Sequence, residues 1–182
     1  MQYEPMTNID RNSILNAIYV LNDIFDYLIA GTMTFDSYQK KYESGDFSQP
    51  AIVAFQKMCV SHIILALSKL VEFWDHYHHL VPDELRPEVK ATVSRLKSQD
   101  LRNYRNTIVA HIWDKKLRRT RTQFEAMEQL NRISGNNPKA FLLWLNNPSG
   151  NVYPNNLVSI VQTLRNRLSE EHGASAEEVF NR

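Results

Sequence analysis

Apolar side chains recur at intervals of three and four residues along most of the chain, and this period restricts the fold more than any other feature. Ile14, Ile18, Leu21, Phe25 and Leu28 are spaced 4, 3, 4 and 3. In an α-helix, residues three and four apart are neighbours on one face, so this set forms a bundle seam. Alternating strand patterns are hard to find, and glycine is scarce at five residues. The period predicts an all-α fold: a helical bundle of four or five main helices with additional short ones.

The first helix is expected from Thr7 or Asn8 to Ala30, with Gly31 as its C-terminal cap. A short amphipathic segment, Phe35 to Tyr42, follows and stops near Gly45. Ser48 and Pro50 open the longest element, Gln49 to about His79, whose face reads Ile52, Phe55, Cys59, Ile63, Ala66, Leu70 and Phe73. Pro82 breaks it. A short helix from Pro87 to about Lys97 comes next, and Ser98–Gln99–Asp100 offers a cap for a helix from Leu101 to about Arg118. Helices Thr122 to Ile133, Lys139 to Leu145 and Leu157 to about Glu171 complete the chain, with a loop from Asn146 to Asn156.

A length of 182 residues suits a single domain over 1–182. A chain of this size buries roughly 70% of its unfolded surface and needs no staple to fold. Cys59, the single cysteine, sits in the apolar run Met58–Cys59–Val60. It has no disulfide partner and no zinc-type Cys/His spacing around it, so it reads as a buried thiol in a reducing compartment. The start Met1–Gln2–Tyr3–Glu4–Pro5 lacks the pattern of a signal peptide, and the longest strongly apolar run, Ile63 to Leu67, falls far short of the roughly 18 residues of a membrane span. A cytoplasmic protein without a membrane partner is expected.

The net charge of +1 hides an uneven distribution. Segment 101–121 carries Arg102, Arg105, Lys115, Lys116, Arg118, Arg119 and Arg121 against Asp114 alone, a local net charge of +6. Such a cluster is either an electrostatic footprint for a polyanion or a solvated face whose cations suit a helix C-terminus. Within it, Arg105–Asn106 precedes His111. On a straight helix, Arg105 and His111 lie roughly 9 Å apart along the axis and about 120° apart around it. His111 then shares the inward stripe of Leu101, Tyr104 and Ile108, so spacing alone reads it as a core histidine before a functional one.

The string YRNTIVAH resembles the signature of the HEPN superfamily, small helical bundles whose active members carry Arg, a polar residue and then His, with four to six residues between Arg and His. Here five residues intervene and the polar position is Asn106. The long helix ending LSKLVEFWDHYHH is similar to the one that packs beside the motif in abortive-infection-type members. The resemblance covers the motif helix closely and region 49–118 in outline. It implies a metal-independent endoribonuclease, a toxin or antiviral effector, with a site formed across a homodimer and no cofactor. RNA is then the substrate, and a cognate antitoxin is a further partner.

By this resemblance Arg105, Asn106 and His111 are catalytic. The RNA 2′-hydroxyl attacks the adjacent phosphorus. His111 exchanges a proton near neutral pH, Arg105 faces the phosphorane oxygens, and Asn106 orients a phosphate or the imidazole. Arg102, Lys115, Lys116, Arg118 and Arg119 hold the RNA backbone. One departure stands out. Where family toxins silenced by an adenylyl-transferring partner carry a tyrosine, two residues after the histidine, this chain has Trp113.

Other readings compete. A non-catalytic HEPN-like module would bind RNA or protein through the same surface. Glu72, Asp75, His76, His78 and His79 form a second polar cluster, in which Glu72 or Asp75 is placed to support the Arg105/His111 site as a neighbouring carboxylate. A bundle-core metal site drawing on His62 and His111 lacks a matching motif on the first or last helix, so no metal is expected. Trp74, Trp113 and Trp144 read as core or interface before base-stacking platforms.

Overall fold

Asp10 starts the first helix by accepting a hydrogen bond on its carboxylate from the Asn12 amide at 3.2 Å. In the computed structural model, which describes residues 10–98, 101–109, 114 and 117–180, α1 then runs unbroken over Arg11–Glu43. The expected start at Thr7 or Asn8 lies outside the described residues, and the helix begins with Arg11 instead. The expected stop at Gly31 and the separate Phe35–Tyr42 helix are also corrected. Gly31 is buried inside α1, where an added Cβ would meet Ile63 Cγ1 at 2.7 Å and the Cys59 carbonyl at 3.2 Å. The glycine allows close helix approach and does not cap. Termination falls at Ser44 and at Gly45, whose φ is +86°.

The helix that meets this face is α2, Gln49–Tyr77, with Ser48 as N-cap, Pro50 in its first turn and a 3₁₀ turn at His78–Leu80. Ile52, Cys59, Ile63, Ala66, Leu70 and Phe73 are buried as the spacing predicts. Phe55 instead stacks on Tyr38 with ring centroids 4.1 Å apart. In α1, Ile14, Ile18, Leu21 and Leu28 are buried, and Phe25 is half-buried under the Arg165 guanidinium. A second α1 row, Leu15, Ala17 and Ile24, is also buried. It is needed because α1 packs against both α2 and α7, Leu157–His172.

Three more helices follow α2: α3 (Arg86–Ser98), the single turn α4 (Leu101–Tyr104) and, after the segment described below, α5 (Gln123–Ile133). Thr122 and Glu125 form a reciprocal capping box at the start of α5. Then come α6 (Pro138–Leu145), α7, and α8 (Ala176–Phe180), which the sequence reading missed. Gly173, with φ +58°, ends α7. Val179 on α8 is buried in the common core. The 146–156 loop is held by a buried relay in which Asn146 Nδ2 donates to Thr32 Oγ1 at 2.8 Å, and Thr32 Oγ1 to the Leu28 carbonyl at 2.6 Å. The fold is an all-α bundle, and one hydrophobic core runs through the described residues.

Two stretches, Arg11–Glu43 and Gln49–Leu80, are long and apolar enough to cross a membrane by length and mean hydropathy, with 44% and 39% of the relevant windows buried inside the fold. Counting uninterrupted apolar runs had not flagged them. Sparse charges satisfy an average without producing a run, and the core helices of bundles meet the same criterion.

Candidate functional site

The motif segment departs from α-helical geometry at Arg105. Leu101–Tyr104 is α-helical, and Arg105–Val109 is a π-helical turn. The local cause lies in the residues. Thr107, Ile108 and Val109 are consecutive β-branched residues, which crowd the preceding turn. Thr107 Oγ1 also donates to the Asn103 carbonyl at 2.7 Å, competing with the backbone ladder. Single π turns are rare inside helices and recur at functional sites. The straight Leu101–Arg118 helix is thereby corrected: Asp114 and Arg119 pair as an isolated antiparallel bridge, and Arg118 sits in a turn with φ +53°.

Arg105 faces α2. Its Nη1 donates to Glu72 Oε1 at 2.5 Å, and its Nε donates to Asn106 Oδ1 at 3.3 Å. One turn along α2, Asp75 accepts from Lys97 of α3 at 2.6 Å. The two carboxylates expected to support the site are therefore both placed against cations, and only Glu72 touches Arg105. Between α2, α3, α4 and the π turn lies a cavity of about 460 Å³. Its polar lining is Ser68, Glu72, Asp75, Lys97, Arg102 and Arg105. Val71, Leu96 and Leu101 supply apolar wall.

The rest of the basic cluster is partly committed within the fold. Arg119 makes a two-pronged pair with Glu125 at 2.6 and 2.9 Å, which together with the Thr122 amide draws the Glu125 pKa down to about 2 from 4.5. Arg121 pairs at 2.7 Å with Asp114, a buried carboxylate that also accepts from the Leu117 amide at 3.1 Å. Arg102 and Arg118 are exposed and, among the described residues, pair with no carboxylate. His111, Trp113, Lys115 and Lys116 lie outside the described residues.

Elsewhere the polar groups serve packing. His62 and His78 donate through Nδ1 to the Met58 and Trp74 carbonyls at 2.9 and 3.0 Å. Trp144 lies under the Arg95 guanidinium at 4.0 Å, and both Trp74 and Trp144 pack against the core. No cluster of His, Cys, Asp and Glu suited to a metal ion occurs among the described residues. Burial pushes the Cys59 thiol and the Tyr104 phenol above their ordinary pKa values.

Sequence reasoning singled out Arg102, Arg105, Asn106, Glu72 and Asp75 but missed Ser68 and Lys97. A signal existed: Ser68, Val71, Glu72 and Asp75 are spaced 3, 1 and 3, a second face of α2 beside its apolar seam. Comparison with protein families, curated proteins and solved structures found no match to this chain.

Proposed function

We propose that this chain is a metal-independent endoribonuclease of HEPN type, a cytoplasmic toxin or antiviral effector that cuts RNA at a site shared by two copies. The observation that carries this reading is the Arg105–Asn106 pair, set in a π turn at the edge of a cavity that also presents Arg102 and Lys97. In the reaction, the 2′-oxygen attacks the neighbouring phosphorus and loses its proton. The bond from phosphorus to the 5′-oxygen breaks, and that oxygen gains a proton. The products are a 2′,3′-cyclic phosphate and a 5′-hydroxyl. His111 is the proton carrier, and Arg105 stabilises charge on the non-bridging oxygens after exchanging Glu72 for phosphate. Asn106 holds the Arg105 guanidinium from its other side. Arg102, Lys115, Lys116, Arg118 and Arg119 grip the backbone, and a cognate antitoxin would cover this surface.

One observation favours a second reading, a non-catalytic HEPN-like module that binds RNA or protein. Glu72 already occupies Arg105, the guanidinium that cleavage needs free to meet the phosphorane oxygens.

Cleavage of RNA in the presence of EDTA, with the termini analysed, decides between them. Wild type is expected to leave cyclic phosphate ends, and His111→Ala and Arg105→Ala to leave the RNA intact with helicity and oligomeric state unchanged. Cutting by both variants at the wild-type rate removes the site assignment, and RNA binding by wild type without cutting supports the module.

A further inference from the structure

Ser68 is 7% exposed, and its Oγ finds no hydrogen-bond partner among the described residues. A helical serine usually donates to the carbonyl four residues back, as Ser61 does to Lys57 at 2.9 Å on the same helix. Leaving a buried hydroxyl unpaired is destabilising, because its lost contacts with water are not replaced. Ser68 lines the 460 Å³ cavity, whose volume falls within the range of small-molecule sites. The charges around it are unevenly used. Glu72 and Asp75 are neutralised by Arg105 and Lys97, and Arg102, among the described residues, is left as an unmatched cation on the cavity wall.

We propose that this cavity binds a small organic molecule with one anionic group on an apolar ring. The anion pairs with Arg102, and the ring lies against Val71 above the covered Leu96 and Leu101. The Ser68 hydroxyl, shut off from solvent in the free protein, turns toward the cavity to meet a polar atom. A dianion or a cation fits less well, because one unmatched guanidinium faces the space. The site adjoins the proposed RNA surface and shares Arg102 and Arg105 with it, but its binding does not require RNA cleavage.

The test uses the full chain without RNA and 1-naphthalenesulfonate as probe, followed by calorimetric titration and by amide chemical shifts. Saturable one-to-one binding is expected, with shifts at Ser68, Val71 and Leu101 and with the neutral 1-naphthol roughly tenfold weaker. Arg102→Gln, at an exposed position, should weaken the sulfonate about tenfold. Ser68→Ala should raise the melting temperature by about 2–4 °C, because the unpaired hydroxyl is gone, while weakening the probe several-fold. A purely structural serine would move the first readout and not the second. Val71→Trp, which fills the space, should abolish binding. If that variant misfolds, Arg102→Gln still decides the matter. Absence of saturable binding at millimolar probe, or binding indifferent to Arg102→Gln, overturns the proposal. A chain that binds the probe but spares RNA overturns only the ribonuclease reading.

Discussion

Arg105 on the π turn and Glu72 on α2 meet at 2.5 Å, tying the motif segment to a core helix. Glu72 is the more exposed partner at 55%, against 29% for Arg105, so the pair contributes little to stability, about 0–1 kcal/mol. Its importance lies in where it holds the guanidinium. Glu72→Gln should leave the melting temperature nearly unchanged. Arg105→Ala should lower RNA cleavage by about 10²–10³, the usual effect of removing one donor to a developing oxyanion. Arg105→Lys should not restore it, because an ammonium cannot replace a planar fork. Single-turnover cleavage of a defined RNA measures each.

Gly31 tests the close approach of α1 and α2. Alanine is favoured over glycine in a helix by about 1 kcal/mol, but the new Cβ would stand 2.7 Å from Ile63 Cγ1 and 3.2 Å from a backbone carbonyl. Overpacking of this kind costs about 1–3 kcal/mol, so Gly31→Ala should be net destabilising in urea titration. Combined with Ile63→Ala, it should cost less than the sum of the two single changes.

Arg121 tests the turn after the motif. Asp114 is 2% exposed, and removing its guanidinium partner leaves a buried carboxylate with only its remaining contacts, the Leu117 amide among them. Arg121→Ala should cost about 1–3 kcal/mol, read from the urea midpoint. Asp114→Asn, which keeps an acceptor for the Leu117 amide, should cost less.

Acid should weaken the fold through Glu125 and Glu178. Both have pKa values lowered from 4.5 to about 2, by Arg119 and Arg11 respectively. A depressed folded-state pKa means that the unfolded chain binds the proton first as pH falls. The contribution of each pair is therefore complete above about pH 4.5 and is lost as pH drops through about 2. Carboxyl carbon titration by NMR should place both groups well below the usual range, and Arg119→Ala should return Glu125 toward 4.5.

The all-α architecture and most helix limits were legible because burial along a helix follows its 3.6-residue period, and Ile18, Leu21, Ile63 and Leu70 obey it. Gly31 was misread because a capping glycine and a close-approach glycine look alike in sequence; Ile63 is what distinguishes them. The break at Arg105 was invisible for a similar reason. Thr107–Ile108–Val109 still fits a helical period, and only the Thr107 bond to the Asn103 carbonyl shows the ladder giving way. Arg105 and Asn106 were found from a motif, and Glu72 from the polar cluster at the end of the second helix. Ser68 was passed over because a serine on an apolar helix carries no pattern until its missing hydrogen bond is seen.

Arg11 at the start of α1 grips Glu178 on α8 at 2.7 Å and the His172 carbonyl at 3.3 Å. Among the described residues, the first and last helices thus lie side by side. Circular permutation suits such a topology. New ends opened at the exposed Gly135–Asn136 turn, where both residues hold positive φ, would sever a surface connection and spare the α1–α2–α7 packing.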